Sequence, residues 1–128
     1  MDKLQDLITN FNYVSDVKGH NRPDYWKIMH PDEYGKYRGD CEDFALTALL
    51  HLCDYSYLKF WYLLITGKAK ICYLYNEQYA HAILRYNHMY IDNIYKTWMS
   101  RYAFEERGFT YDDTLYKWYH VVRQLMFR

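Results

Sequence analysis

Three residues far apart in the chain, Cys41, His81 and Asp92, carry the chemistry that this sequence offers first. Cys41 stands at the start of a segment, Asp40 to Asp54, in which Phe44, Ala45, Ala48, Leu49 and Leu52 recur at helical spacing. Asp40 fits an N-cap, and Asp43 three residues on completes an approximate capping box with Asp in place of Glu. A thiol in the first turn of a helix sits among unpaired backbone N–H groups at the positive end of the macrodipole, and both effects favour the thiolate. The same N–H groups can receive an oxyanion, so acyl transfer lacks only a base. His51 lies along the same helix, about 15 Å away at 1.5 Å per residue, and cannot reach the sulfur.

His81 is the better base, because it opens a segment of strand character and can face the helix start from a sheet. A hairpin turning at Tyr86-Asn87 pairs Arg85 with His88 and sets His81 directly opposite Asp92. Directly paired residues have Cβ atoms roughly 4.5–5.5 Å apart, within reach for a carboxylate to orient an imidazole. Cys41, His81 and Asp92 then take the roles of nucleophile, base and orienter.

The elements that must position these groups read as helices followed by an antiparallel sheet, an α+β arrangement in which the cysteine helix packs on the sheet. Leu4, Leu7, Ile8, Phe11 and Val14 mark an amphipathic helix over residues 2–16. From Lys18 to Arg38, Gly19, Pro23, Pro31 and Gly35 read as an ordered surface loop, long enough to form a wall of a site. Lys59 to Ile65 and Lys70 to Tyr75 read as a strand pair around Thr66-Gly67-Lys68-Ala69, and Ala80 to Arg85 with Met89 to Ile94 as a second. A short helix over Trp98 to Glu105 and a strand over Leu115 to Phe127 complete the expectation.

Composition narrows the function classes. At 128 residues, with 51% hydrophobic residues and 17 tyrosines, the chain reads as one domain able to bury a core. Sixteen basic residues balance sixteen acidic ones with no block of five like charges, which disfavours nucleic acid or an acidic membrane surface as partner. The most apolar stretch, Leu58 to Ile65, is too short to span a bilayer, and the acidic N-terminus reads as carrying no export signal. Three cysteines without a CxxC pair argue against a disulfide framework or zinc knuckle and fit reduced thiols in a cytoplasm. Cys53 and Cys72 read as small buried apolar groups, and His20, His30, His88 and His120 show no metal-ligand spacing.

The string Gly39-Asp40-Cys41-Glu42-Asp43-Phe44-Ala45, followed by Ala80-His81-Ala82-Ile83-Leu84 and Ile91-Asp92-Asn93, resembles the bacterial transglutaminase-like cysteine peptidase family. Asn12-Tyr13-Val14-Ser15-Asp16, Asp24-Tyr25-Trp26 and Pro31-Asp32-Glu33 resemble that family's lead-in to the cysteine, so the likeness spans about residues 8–95. It implies a papain-like, transglutaminase-type core and a protein or peptide substrate. Some members are calcium-dependent periplasmic proteases that clip an adhesin; carried over, their acidic residues correspond to Asp40, Glu42 and Asp43 as calcium ligands. Carboxylate oxygens suit calcium, yet Asp40 also serves as a cap, and Glu42 and Asp43 also complement the dipole. This chain is shorter than those proteases and shows no export signal, so their substrate and location do not transfer. A compact, tyrosine-heavy version fits a bacteriophage gene product acting in a host cytoplasm.

Trp26, in the loop before the nucleophile, either lines a substrate cleft or anchors the loop to the core. The leading expectation is a cysteine peptidase. A transglutaminase or deamidase uses the same triad on glutamine side chains, and a non-catalytic binding module, built on the abundance of Tyr and Trp, is the rival from another class.

Overall fold

Leu4 and Leu7 are fully buried on one side of the first helix, α1 (Asp2–Asn10), as their spacing requires. The helix ends sooner than the sequence suggested. Asn10 folds back, its amide donating to the Asp6 carbonyl and carboxylate, and the chain then extends as β1 (Phe11–Tyr13). Phe11 continues the apolar spacing of α1 but satisfies it from a strand, with its ring edge-on to Phe44 at 5.0 Å. In this computed structural model, residues 2–14, 27–75, 80–112, 122–123 and 125 are described. β1 pairs in parallel with β2 (Tyr37–Gly39), in the register Phe11↔Tyr37, so the loop before the cysteine ends in a strand.

The cysteine helix, α2 (Cys41–Leu52), is buried along nearly its whole length. Its start is the expected capping box: Asp43 N–H donates to Asp40 Oδ1, and Asp40 N–H donates back to Asp43 Oδ2. Gly39 makes this possible. A Cβ there would stand 2.7 Å from Asp43 Oδ2 and 2.7 Å from Met29 Sδ, closer than atoms tolerate.

The segment expected as a strand from Lys59 to Ile65 is a helix, α3 (Tyr57–Ile65). An apolar run of this length fits either structure, and its ends decide. Ser56 caps the start by accepting from Lys59 N–H, and Phe60, Leu63 and Leu64 bury one helical face. Thr66-Gly67, read as a hairpin loop, is the helix exit: Thr66 is the C-cap and Gly67 follows in the left-handed region at φ 78°.

The sheet is antiparallel, in the order β5 (Met89–Ile91), β4 (Ala80–Tyr86), β3 (Ala69–Tyr75), β6 (Thr110–Asp112). Asn87 and His88, both at positive φ, form the β4–β5 turn, one residue later than expected. The strand expected to run to Ile94 ends at Ile91. A short helix, α4 (Arg101–Glu106), follows Ser100 as N-cap, a little later than Trp98. β6 was not anticipated. Of the strand expected over Leu115 to Phe127, residues 122, 123 and 125 are helical and the others lie outside the described residues.

Alternation along the strands gives the sheet two apolar faces. Ile71, Ala82, Leu84 and Ile91 pack with α1, α2 and α3, while Cys72, Ile83 and Tyr90 pack with Phe104 and Phe109. The fold is α+β, with α2 lying against β4. Among the described residues, no helix is long and apolar enough to cross a membrane.

Candidate active site

The sulfur of Cys41 lies where the β4–β5 ladder stops. Leu84 faces Ile91 and Tyr86 faces Met89, while Tyr90 turns its own N–H and carbonyl away to Met99. Backbone groups alternate direction along a strand, so Ala82 N–H points out of the same edge of β4 as those of Leu84 and Tyr86. β5 has ended by then, and Cys41 Sγ receives the Ala82 N–H at 3.5 Å. The helix start is thereby held against the strand at the residue next to His81.

His81 is 3% exposed, and its Nε2 lies 2.8 Å from Asp92 Oδ2. Asp92 is fully buried, and its second oxygen, Oδ1, accepts from Tyr95 N–H at 2.9 Å. A carboxylate acting as acceptor assigns the ring proton to Nε2, which leaves the imidazole lone pair on Nδ1. The pairing forms by a different register from the one expected. With Arg85 opposite Tyr90, Asp92 sits diagonal to His81, past the end of β5. The slip is two residues, and an even slip leaves every side chain on its face, so the contact survived an error in the turn.

Cys41 and His81 line one cleft of about 480 Å³ with Phe11, Asn12, Asn93 and Lys96. β1 supplies one wall, and the loop after Asp92 the other. Lys96, at φ 55°, holds its ammonium 5.7 Å from the centre of the Phe11 ring, across from its own wall.

The protonation of Cys41 departs from expectation. Burial pushes the thiol well above its ordinary range, and the neighbouring Glu42 carboxylate pushes it further. The S–H donates to Glu42 Oε1 at 2.9 Å, and Glu42 is itself buried. Ala82 N–H acts in the opposite direction but does not win. The resting sulfur is therefore a thiol, because desolvation and a carboxylate in contact outweigh the helix dipole.

Asp40, Glu42 and Asp43, which the resemblance offers as calcium ligands, make these contacts within the chain. Asp40 and Asp43 are committed to each other's backbone, Asp43 Oδ1 accepts from Lys27 N–H, and Glu42 turns to the sulfur. Burial, with the Asp40 charge beside it, raises Asp43 to about 8. Among the described residues, no three His, Cys, Asp or Glu side chains converge as metal ligands do.

Cys41, His81 and Asp92 are thus brought together, and Trp26 lies outside the described residues. His51 is occupied elsewhere: Nδ1 lies 2.9 Å from the Thr47 carbonyl and Nε2 lies 3.0 Å from the Tyr55 hydroxyl. Cys53 and Cys72 are buried and unbridged. The sequence reading did not single out Phe11, Asn12, Asn93 or Lys96 as parts of a site. Asn12 and Asn93 stand in strings that carry the family resemblance, and that was the signal to follow. The chain matches no model of a known protein family and no curated protein.

Proposed function

We propose that this chain is a cysteine-dependent amide hydrolase, a peptidase acting on protein or peptide substrates, built on a papain-like, transglutaminase-type core. One observation carries the reading: the sulfur of Cys41 is pinned to the residue beside His81, Cys41 and His81 line one cleft, and Asp92 holds the His81 ring from behind. The resemblance of the Gly39-to-Ala45 string to transglutaminase-like cysteine peptidases agrees with it.

His81 Nδ1 takes the proton from Sγ as the sulfur attacks the substrate carbonyl, so base catalysis replaces a preformed thiolate. Asp43 N–H and Phe44 N–H are already taken by Asp40. The Cys41 N–H, ahead of them in the turn, is the donor placed for an oxyanion at its own sulfur. The C–N bond breaks as His81 returns the proton to the leaving amine. Water then attacks the thioester, His81 removes its proton, and the acid leaves with the thiol restored. Asp92 stabilises the imidazolium throughout without taking up a proton.

Incubation with a peptide mixture, read by mass spectrometry, tests this. Native chain should produce cut peptides, and Cys41→Ala and His81→Ala should not, while both keep the native melting behaviour. Turnover surviving in both variants would refute the reading. Glutamine deamidation or amine adducts in place of cuts would keep the triad and change the amide attacked from the backbone to a glutamine side chain.

A further inference from the structure

Of the polar side chains that line the cleft without a part in the mechanism above, Asn93 is the buried one. The residue is 8% exposed and lines the cleft with Cys41 and His81, yet Oδ1 is buried with no hydrogen-bond partner among the described residues. A buried carbonyl oxygen left unpaired costs far more than a made hydrogen bond returns, and an amide can turn about χ2 to meet an incoming donor. What the oxygen lacks is an N–H. The Asp92 side chain beside it is held from both oxygens, by His81 and by Tyr95 N–H, so the loop fixes where Asn93 begins. The volume, about 480 Å³, suits a few side chains of an extended peptide or a glutamine side chain with its flanks.

We propose that Asn93 Oδ1 accepts a hydrogen bond from an N–H of the substrate beside the carbonyl that Cys41 attacks, which makes it a specificity residue for amides over esters. This rests on the reading of Cys41 as the nucleophile. Asn93 itself takes no part in proton transfer.

Two neutral alkylating reagents read the contact directly. Iodoacetamide carries N–H groups on the carbonyl next to its reacting carbon, and methyl iodoacetate carries none there. In both reactions the sulfur of Cys41 forms the new C–S bond and iodide leaves with the C–I electron pair. Their rate ratio, normalised to a free thiol, cancels any change in the thiolate fraction. The native chain should favour the amide reagent relative to the free thiol. Asn93→Ala should lower the ratio about three- to tenfold, the value of one hydrogen bond, and the isosteric Asn93→Leu should match it where alanine weakens the fold. Asn93→Asp keeps an acceptor and should hold the native ratio or exceed it.

A ratio unchanged in the alanine and leucine variants, or lowered equally in the aspartate variant, overturns the assignment. An oxyanion role for the Asn93 amide would slow both reagents together and leave the ratio in place, so that result also overturns it. Absence of cut, deamidated or amine-modified peptides from the native chain in the peptide assay above would instead sink the nucleophile, and this inference with it.

Discussion

Replacing Glu42 with glutamine should turn a reluctant thiol into a reactive one. The carboxylate oxygen stands 2.9 Å from Sγ and acts against ionisation of the sulfur both by its charge and by accepting the S–H. At that separation, two unit charges repel by about 1.4 kcal/mol in a fully water-like surrounding and by about 3 kcal/mol at an effective dielectric near 40. Over that range of screening, Glu42→Gln lowers the Cys41 titration midpoint by about one to two pH units. A less basic thiolate is also a weaker nucleophile, with a Brønsted slope of about 0.4–0.5, so the net gain in alkylation rate at pH 7 is about three- to tenfold. Iodoacetamide labelling of Cys41 in both chains from pH 5 up to the alkaline limit of the fold, followed by mass spectrometry, gives the shift in midpoint and the rate together. Glutamine preserves the size of the side chain and an acceptor, so the comparison isolates the charge. A midpoint that stays in place or rises would show that burial alone holds the proton, and that the Glu42 contact is incidental.

Three further outcomes follow from the same geometry. Asp92→Asn should keep the fold but release the tautomer of His81, lowering both Cys41 alkylation at neutral pH and turnover, the latter by about 10²–10⁴-fold; turnover within a factor of three of the native chain contradicts the role given to Asp92. Gly39→Ala should drive a methyl group into Asp43 Oδ2 and Met29 Sδ and cost about 1–3 kcal/mol, seen as a melting temperature lower by several degrees; an unchanged melt would mean that the helix start can give way freely. Asp43, raised to about 8 by burial and by Asp40, keeps a proton in the folded chain that the unfolded chain releases near pH 4. That contribution to stability is therefore complete below about pH 4 and declines as pH rises toward 8, and Asp43→Asn should flatten the fall in denaturant midpoint between pH 5 and 7.5; parallel curves for the two chains contradict it.

The parts of the fold that could be read in advance are those whose signals are local and redundant. The start of α2 is written several times over, in Asp40 as cap, Asp43 as its reciprocal partner and the apolar stripe behind them. The run from Lys59 to Ile65 carries aromatic and aliphatic residues that suit strand and helix alike; the deciding information sits outside it, in Ser56 and Gly67. β1 was absorbed into α1 because its partner, β2, lies beyond a long loop, and parallel pairing leaves no turn signature. The His81–Asp92 contact was reached by a wrong count, rescued because the error was even. The acidic neighbours of Cys41 were read by charge and spacing alone, whereas their burial, which sets the state of the sulfur, depends on packing that no local pattern reveals.

The early end of β5 has a consequence for control of such a centre. Two more residues of pairing would bring a carbonyl to the Ala82 amide, and the sulfur would have to leave the place it now occupies. Zipping the hairpin further, by substitutions that favour extended backbone at 92 and 93 or by a strand-mimicking inhibitor laid along that edge, would then evict the nucleophile without touching its chemistry. A missing rung makes room for the thiol, and restoring that rung is a way to silence it.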